Sequence, residues 1–129
     1  MKKAIEKSPR TWKATRLETW AMPGIPDVLL CDDGGLFHFI ELKATAGNAV
    51  DLRPHQVAWL SRHAEASVWV LVRKVATETR PQKMYLYHGR DAMDLKMAGL
   101  KVGPLYYATG VPDWDAILEL ISPSPQNWR

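Results

Sequence analysis

The feature that most constrains the fold is an unbroken apolar run at residues 68–72, with the sequence VWVLV. A strand with one face in water alternates apolar and polar residues, whereas a continuous run indicates a strand that is buried on both faces. Such strands lie inside parallel or mixed sheets whose faces are covered by helices. We therefore predict an α/β fold with a mixed β-sheet of about four or five strands flanked by helices, in which residues 67–74 form the central parallel strand.

The other elements follow from local composition and from turn residues. Pro54 suits the first turn of a helix in which Val57, Leu60 and Ala64 share one apolar face. The sequence DDGG at 32–35 predicts a hairpin turn, so that the strands on either side of it pair antiparallel. Further strands are predicted at 11–19, 27–31, 36–43, 83–87 and 105–109, and helices at 54–65, 91–98 and 112–121, with one or two helical turns at 2–8.

Length, charge and cysteine content narrow the class of protein. The 129 residues suffice for one domain, which we predict over 1–129, with its core at about 13–74 and a C-terminal extension at about 80–129 whose role stays open. The net charge of +3 permits a polyanionic partner without requiring one. Cys31 is the only cysteine, which excludes an internal disulfide and suits a reducing cytosol. No apolar stretch approaches the length of a membrane span, so we expect a cytoplasmic protein.

Two carboxylates and a lysine are predicted to meet where two paired strands end. Glu41 and Lys43 project from the same face of their strand because side chains alternate, while Leu42 points the other way, into the core. The hairpin folds the preceding strand back, so Asp27 lies opposite the end of the next strand and close to Glu41 and Lys43. Desolvating such a trio is costly unless a cation compensates, which indicates a bound hard metal ion.

Magnesium is the natural candidate, and manganese is expected to substitute for it. Magnesium accepts one or two carboxylates together with waters and substrate phosphate oxygens, so Asp27, Glu41 and the Leu42 carbonyl would suffice as protein ligands. The metal would stabilise negative charge on a phosphate and activate a water, and Lys43 would orient that nucleophile or neutralise the transition state. We find no serine–histidine–aspartate arrangement, glycine-rich phosphate loop or paired histidines that compete with this site.

These residues form a pattern that resembles the PD-(D/E)xK nuclease superfamily. The sequence GIPD at 24–27 is followed by thirteen intervening residues and then by ELK at 41–43. The sequence PHQVAWL at 54–60 is similar to the glutamine-bearing helix of the VRR-NUC and Holliday-junction-resolvase-like branches, and RLE at 16–18 lies where those proteins place charged residues on the first strand. The resemblance covers about 13–74, in the order expected of the family's core.

The resemblance implies a restriction-endonuclease-like core, and we expect the site at one edge of the sheet. It implies a metal held by Asp27 and Glu41, Lys43 as a catalytic partner, and Gln56 supporting the site from its helix. An additional acid is expected, for which we prefer Glu18, because its strand should adjoin the strand that carries Asp27. Glu6 stays open as the alternative. Basic residues near these elements are candidates for contacts with DNA phosphates, namely Lys13, Arg16, Arg53, His55 and Arg62.

The function implied by the resemblance is that of a phage-type, structure-specific endonuclease acting on branched DNA in recombination or repair. Cleavage would leave a 5′-phosphate and a 3′-hydroxyl, and resolution of a four-way junction would require a homodimer with two active sites. One alternative is a nicking, flap-cutting or degradative nuclease of the same fold. The other is a catalytically inactive module that binds DNA or a protein, although such a module need not keep a costly cluster of charges.

Overall fold

The computed structural model describes residues 10–17 and 24–123. Within these ranges the chain forms a mixed α/β structure with a six-stranded sheet and three helices. The strands are β1 (Lys13–Arg16), β2 (Val28–Cys31), β3 (Phe37–Thr45), β4 (Val68–Lys74), β5 (Lys83–His88) and β6 (Tyr106–Thr109). The helices are α1 (Pro54–Arg62), α2 (Ala92–Ala98) and α3 (Trp114–Ile121). The helical turns predicted at 2–8 lie outside the described residues.

The six strands lie in the sheet in their order along the chain, from β1 to β6. Strands β3 and β4 pair parallel, and the other four neighbouring pairs are antiparallel. The mixed sheet and the parallel, interior position of β4 agree with the sequence analysis. The predicted strand count of four or five was wrong, because the four-residue strands β1 and β6 both pair at the edges and bring the number to six.

Both faces of the sheet are covered, as the apolar run in β4 requires. Val68, Val70 and Val72 are fully buried on the face packed by α1 and α2, which we call the α1 face. Trp69 and Leu71 are buried on the opposite face, where α3 packs, which we call the α3 face. Complete burial of a valine or leucine side chain stabilises the fold by about 1.5–3 kcal/mol. The two apolar clusters therefore fix which side of each interior strand faces which helix.

Helix α1 connects the two parallel strands and ends earlier than predicted. Pro54 occupies its first turn, where the missing N–H has no partner to lose. The helix ends at Arg62 and not near residue 65, because His63 leaves the helical conformation. The ring of His63 bonds the Trp59 carbonyl at 2.7 Å and stacks on the Trp59 indole, with the ring centroids 4.0 Å apart.

Across residues 10–17 and 24–123, no helix is long and apolar enough to cross a bilayer. Glu6 and Glu18, the two candidates for an additional acid, lie outside the described residues.

Candidate active site

Asp27 lies beside Glu41 because of the register of the β2–β3 hairpin. Val28 pairs with Ile40, so the residue before β2 lies opposite the residue after Ile40. The backbone N–H of Leu42 donates to Asp27 Oδ2 at 3.1 Å, which fixes the Asp27 carboxylate against β3. Alternation along β3 directs Glu41 and Lys43 to the α1 face. The structure thus brings together the three residues that the sequence analysis placed at one point.

Gln56 joins this group from helix α1. Its Nε2 donates to Glu41 Oε2 at 3.0 Å, and its Oε1 accepts from Lys43 Nζ at 3.0 Å. The same Oε1 accepts the backbone N–H of Arg53 at 3.0 Å, at the start of the helix. Lys43 Nζ is also 3.6 Å from Glu41 Oε2. Each half of the amide thus contacts the group it complements, so Gln56 holds the carboxylate and the ammonium in fixed positions relative to each other.

Glu41 is a buried acid beside a second acid. Only 3% of its surface is exposed. Burial, and then the negative charge of Asp27, raise the pKa of the Glu41 carboxyl from 4.5 to about 7, against the opposing charge of Lys43. A carboxyl whose pKa is raised in this way is unusual in a structural ion pair and common at sites that bind cations or transfer protons.

A glycine allows the loop that carries Asp27 to approach helix α1 closely. Gly24 has a φ of +96°, and a Cβ at this position would lie 2.5 Å from the His55 carbonyl oxygen. Both the backbone conformation and the lack of space therefore exclude a side chain. The glycine of the GIPD sequence thus has a packing role between the two elements that supply Asp27 and Gln56, which sequence reasoning did not assign to it.

Leu42 does not point into the core, so that prediction was wrong. Its side chain lies on the α3 face and is 37% exposed. It lines an open groove of about 310 Å³ together with Leu71, Met84 and Trp114. The start of α3 borders this groove without filling it, which leaves Leu42 at the surface. The Leu42 carbonyl stays a predicted metal ligand.

The structure separates the basic residues that were predicted on the first strand. Lys13 pairs with Cys31 at the hairpin end of the sheet, about 13 Å along the strands from Glu41. Arg16 pairs with Val28 and is therefore close to Asp27 in register, but its side chain lies on the α3 face. Both side chains are exposed, and they do not share a surface with each other.

The three basic candidates on helix α1 also differ in position. Arg53 and His55 are exposed and flank the start of the helix next to Gln56. Arg62 is exposed at the other end, about 12 Å along the helix axis from Pro54. Arg53 and His55 therefore lie at the end of the helix that is nearer to Glu41, whereas Arg62 lies at the end that is remote from it.

The donor set suits a small, hard cation that uses few protein ligands. Within residues 10–17 and 24–123, no group of three or more histidine, cysteine, aspartate or glutamate side chains is placed to hold a metal ion. The two carboxylates of Asp27 and Glu41 are adjacent, and magnesium needs only one or two carboxylates when waters and phosphate oxygens complete its shell. Their mutual repulsion, visible in the raised pKa of Glu41, is what a bound divalent cation would relieve.

A second polar cluster, which the sequence analysis did not foresee, lies at the hairpin end of the sheet. His38 Nε2 is 2.8 Å from Asp32 Oδ2, and His38 Nδ1 is 2.6 Å from Ser67 Oγ. Ser122 Oγ donates to the same Asp32 oxygen at 2.5 Å, and Trp69 Nε1 donates to Ser67 Oγ at 2.7 Å. A serine, a histidine and an aspartate therefore do meet in the structure, at a place apart from Asp27 and Glu41.

This second cluster has the properties of a structural network. Asp32 and His38 are only 6% and 4% exposed, so solvent scarcely reaches either side chain. Ser67 Oγ already accepts the indole N–H of Trp69, so its hydroxyl is engaged on both sides. The network ties the hairpin to the start of β4 and to the end of α3. Sequence separations of up to 90 residues hid it from pattern analysis.

Comparisons of the chain with protein-family models, with curated proteins and with solved structures find no match.

Proposed function

We propose that this chain is a metal-dependent DNA endonuclease with a restriction-endonuclease-like core of the PD-(D/E)xK superfamily. The observation that carries the proposal is the single connected cluster of Asp27, Glu41, Lys43 and Gln56 on the α1 face. Two carboxylates, an ammonium and an amide that holds them in place form a set suited to phosphodiester hydrolysis. The antiparallel β2–β3 hairpin, followed by α1 and the parallel strand β4, supports the proposed fold family.

Each member of the cluster has a proposed task. Asp27 and Glu41 would hold Mg²⁺, which supplies Lewis-acid stabilisation of the phosphate and a water of lowered pKa when it is bound. Lys43 places a positive charge 3.6 Å from Glu41 Oε2, where it compensates negative charge that develops on the substrate. Gln56 holds the side chains of Lys43 and Glu41 in fixed positions relative to each other. The additional acid, Glu18 or Glu6, belongs to the proposal through the resemblance alone.

The proposed substrate is branched DNA, and the proposed assembly is a homodimer. Two identical sites related by twofold symmetry would act on strands of opposite polarity, as resolution of a four-way junction requires. Contacts to backbone phosphates, with Arg53 and His55 nearest to the cluster, would make binding sensitive to salt. Size-exclusion chromatography with light scattering at micromolar concentration tests the dimer.

The decisive experiment is a cleavage assay on a panel of four-way junctions, flaps, nicked duplexes and linear duplexes, in Mg²⁺ and in Mn²⁺. We expect junction cleavage that leaves a 5′-phosphate, and a loss of at least about 100-fold in Asp27→Asn. Asp94→Asn is the matched control, because Asp94 is an exposed acid on helix α2. An Asp27→Asn protein that cuts as fast as the parent would refute the metal site.

Other cleavage patterns in the same assay would support one of the alternative functions. Preference for flaps, or equal cutting of all duplexes, would indicate a flap-cutting, nicking or degradative nuclease of the same fold. DNA binding without cleavage in either metal would assign a catalytically inactive module.

A further inference from the structure

A positively charged cavity lies beyond the ends of strands β3 and β4. Its volume is about 240 Å³, and its charged lining residues are Lys74, Arg80 and Lys83. No acidic residue in the described ranges lines it, and no described carboxylate forms an ion pair with any of these three cations. Glu78 belongs to the same β4–β5 connection but does not line the cavity. The cavity therefore presents a net positive surface to solvent.

The strand register places this cavity on the same face as the candidate active site. Thr45 pairs with Lys74, and Lys74 pairs with Lys83, so the three residues form one row across β3, β4 and β5. Because Lys43 precedes Thr45 by two residues, its side chain and this row share the α1 face. From a spacing of about 3.3 Å per residue and 4.8 Å per strand, the two lysines lie about 14–16 Å from Glu41, measured between Cα atoms.

Thr109 continues this row at the far edge of the sheet, where it pairs with Lys83, and an exposed aromatic ring lies two residues before it on the same face. Tyr107 pairs with Tyr85 and is 47% exposed. A hydrogen bond with Thr109, and then the positive charges of Lys83 and Lys74, hold the pKa of Tyr107 below its ordinary value. Both lysine charges therefore act on the surface next to the tyrosine ring. Positive charge interleaved with an exposed aromatic side chain is the combination that proteins use to bind the backbone and bases of a nucleic-acid strand.

We infer that Lys74, Arg80 and Lys83 form a phosphate-binding subsite for the DNA strand that runs away from the reaction centre, with Tyr107 beside it as a stacking surface. The inference rests on the proposed function in two ways. That function identifies the substrate as DNA, and it places the scissile phosphate at Glu41, from which the distance to the subsite is measured. A duplex strand advances 3.4 Å per nucleotide along its axis, so a separation of about 15 Å corresponds to about four nucleotides from the scissile phosphate. Lys74 is held in place by Asn48 Oδ1 at 2.9 Å, which limits the entropy lost when a phosphate binds.

The test measures DNA binding in EDTA, so that it does not depend on cleavage. The probes are a fluorescein-labelled four-way junction and a linear duplex, and binding is followed by anisotropy as a function of salt. The variant is Lys74→Gln with Lys83→Gln. The matched control is Arg73→Gln, because Arg73 is exposed on the same strand but projects from the opposite face.

We expect the double variant to lose about tenfold in affinity per charge at 0.1 M salt, and the slope of log affinity against log salt to become less steep by about 0.9 per charge. Arg73→Gln should change neither quantity by more than a small fraction of these amounts. Lys74→Arg with Lys83→Arg should restore both. Unchanged affinity and slope in the double glutamine variant would overturn the inference, even if the parent proves to be an active nuclease.

A second arm separates the DNA backbone from a free anion. One phosphate of the duplex at a time is replaced by a neutral methylphosphonate. In the parent, the replacement about four nucleotides from the cleavage position should weaken binding, and in the double glutamine variant it should have no further effect. Micromolar binding of inorganic phosphate by the parent, abolished in that variant while DNA binding is unaffected, would assign a small-anion site and overturn the inference.

Discussion

Gln56 Nε2 lies 3.0 Å from Glu41 Oε2, so a helix that crosses between two parallel strands contacts the buried acid of the strand it leaves. The same amide accepts from Lys43 through its oxygen, which makes the orientation of Glu41 and Lys43 dependent on one side chain. The candidate site is therefore supported by the α1 crossover as well as by the hairpin.

Replacement of Gln56 by leucine tests this support. The variant removes the hydrogen bonds to Glu41, Lys43 and the Arg53 backbone. We expect the free energy of unfolding to fall by about 1–3 kcal/mol, because buried polar groups lose their partners, and cleavage to fall at least tenfold. Denaturant unfolding and initial cleavage rates measure the two effects. Ser61→Ala, at an exposed position of the same helix, is the control, and an equal effect there would deny Gln56 a special role.

Glu41→Gln should make the metal-free protein more stable while removing its function. The glutamine keeps an oxygen that can accept from Gln56 but carries no charge to repel Asp27. We expect the free energy of unfolding in EDTA to rise by about 1–2 kcal/mol at neutral pH, because burial and Asp27 disfavour the ionised form of Glu41 in the folded state. Glu65→Gln provides the control, because Glu65 is exposed. A lower free energy of unfolding in Glu41→Gln would contradict this prediction and show that the Glu41 carboxylate stabilises the fold.

Divalent metal should stabilise the parent by mass action. At a Mg²⁺ concentration of 100 times the dissociation constant, the free energy of unfolding rises by about 2.7 kcal/mol, which raises Tm by about 5–10 °C. The shift should disappear in Asp27→Asn and persist in Asp94→Asn. Thermal unfolding in a titration of Mg²⁺ and Mn²⁺ measures it without any DNA. An equal shift in all three proteins would locate metal binding elsewhere.

Asp32 should set part of the acid sensitivity of the fold. Burial opposes its ionisation, but hydrogen bonds from Ser122 and His38 and from the Leu36 and Gly34 amides outweigh burial and hold its pKa well below the ordinary 3.8. Its contribution to stability is therefore present above the unfolded-state pKa and is lost as the pH falls through the lower, folded-state pKa.

The corresponding substitution is Asp32→Asn, for which we expect a loss of about 2–4 kcal/mol at neutral pH. The difference from the parent should be constant between about pH 5 and pH 8 and should shrink below about pH 4. Asp33→Asn, which breaks the exposed ion pair with Arg10, should destabilise the fold far less than Asp32→Asn. Denaturant unfolding across this pH range gives the curves, and a difference that grows in acid would contradict the assigned direction of the pKa.

The sequence was sufficient to predict the features that depend on short-range rules. The DDGG turn and the alternation of side chains determine that Asp27 meets Glu41 and Lys43, and the apolar run at 68–72 determines that β4 is interior. Both rules act over about fifteen residues or fewer. The hairpin and the proximity of Asp27, Glu41 and Lys43 could therefore be predicted from the sequence alone.

Two kinds of feature could not be predicted from the sequence. The face on which Arg16 lies and the row of Lys74 and Lys83 depend on the register of neighbouring strands whose connections carry no turn sequence as definite as DDGG. Asp32 and Ser122 are 90 positions apart, and contacts between such distant segments are decided by the packing of the whole domain.

The bond between Ser122 and Asp32 has a consequence for synthesis in the cell. The chain emerges from the ribosome with its first residues leading, so the hairpin that carries the two candidate ligands is made long before residue 122 is available. Until then Asp32 lacks one of the two side-chain donors that make its burial favourable. The hydrogen-bond network around Asp32 is therefore completed only when helix α3 docks, so the hairpin that carries Asp27 and Glu41 reaches its full stability late in synthesis.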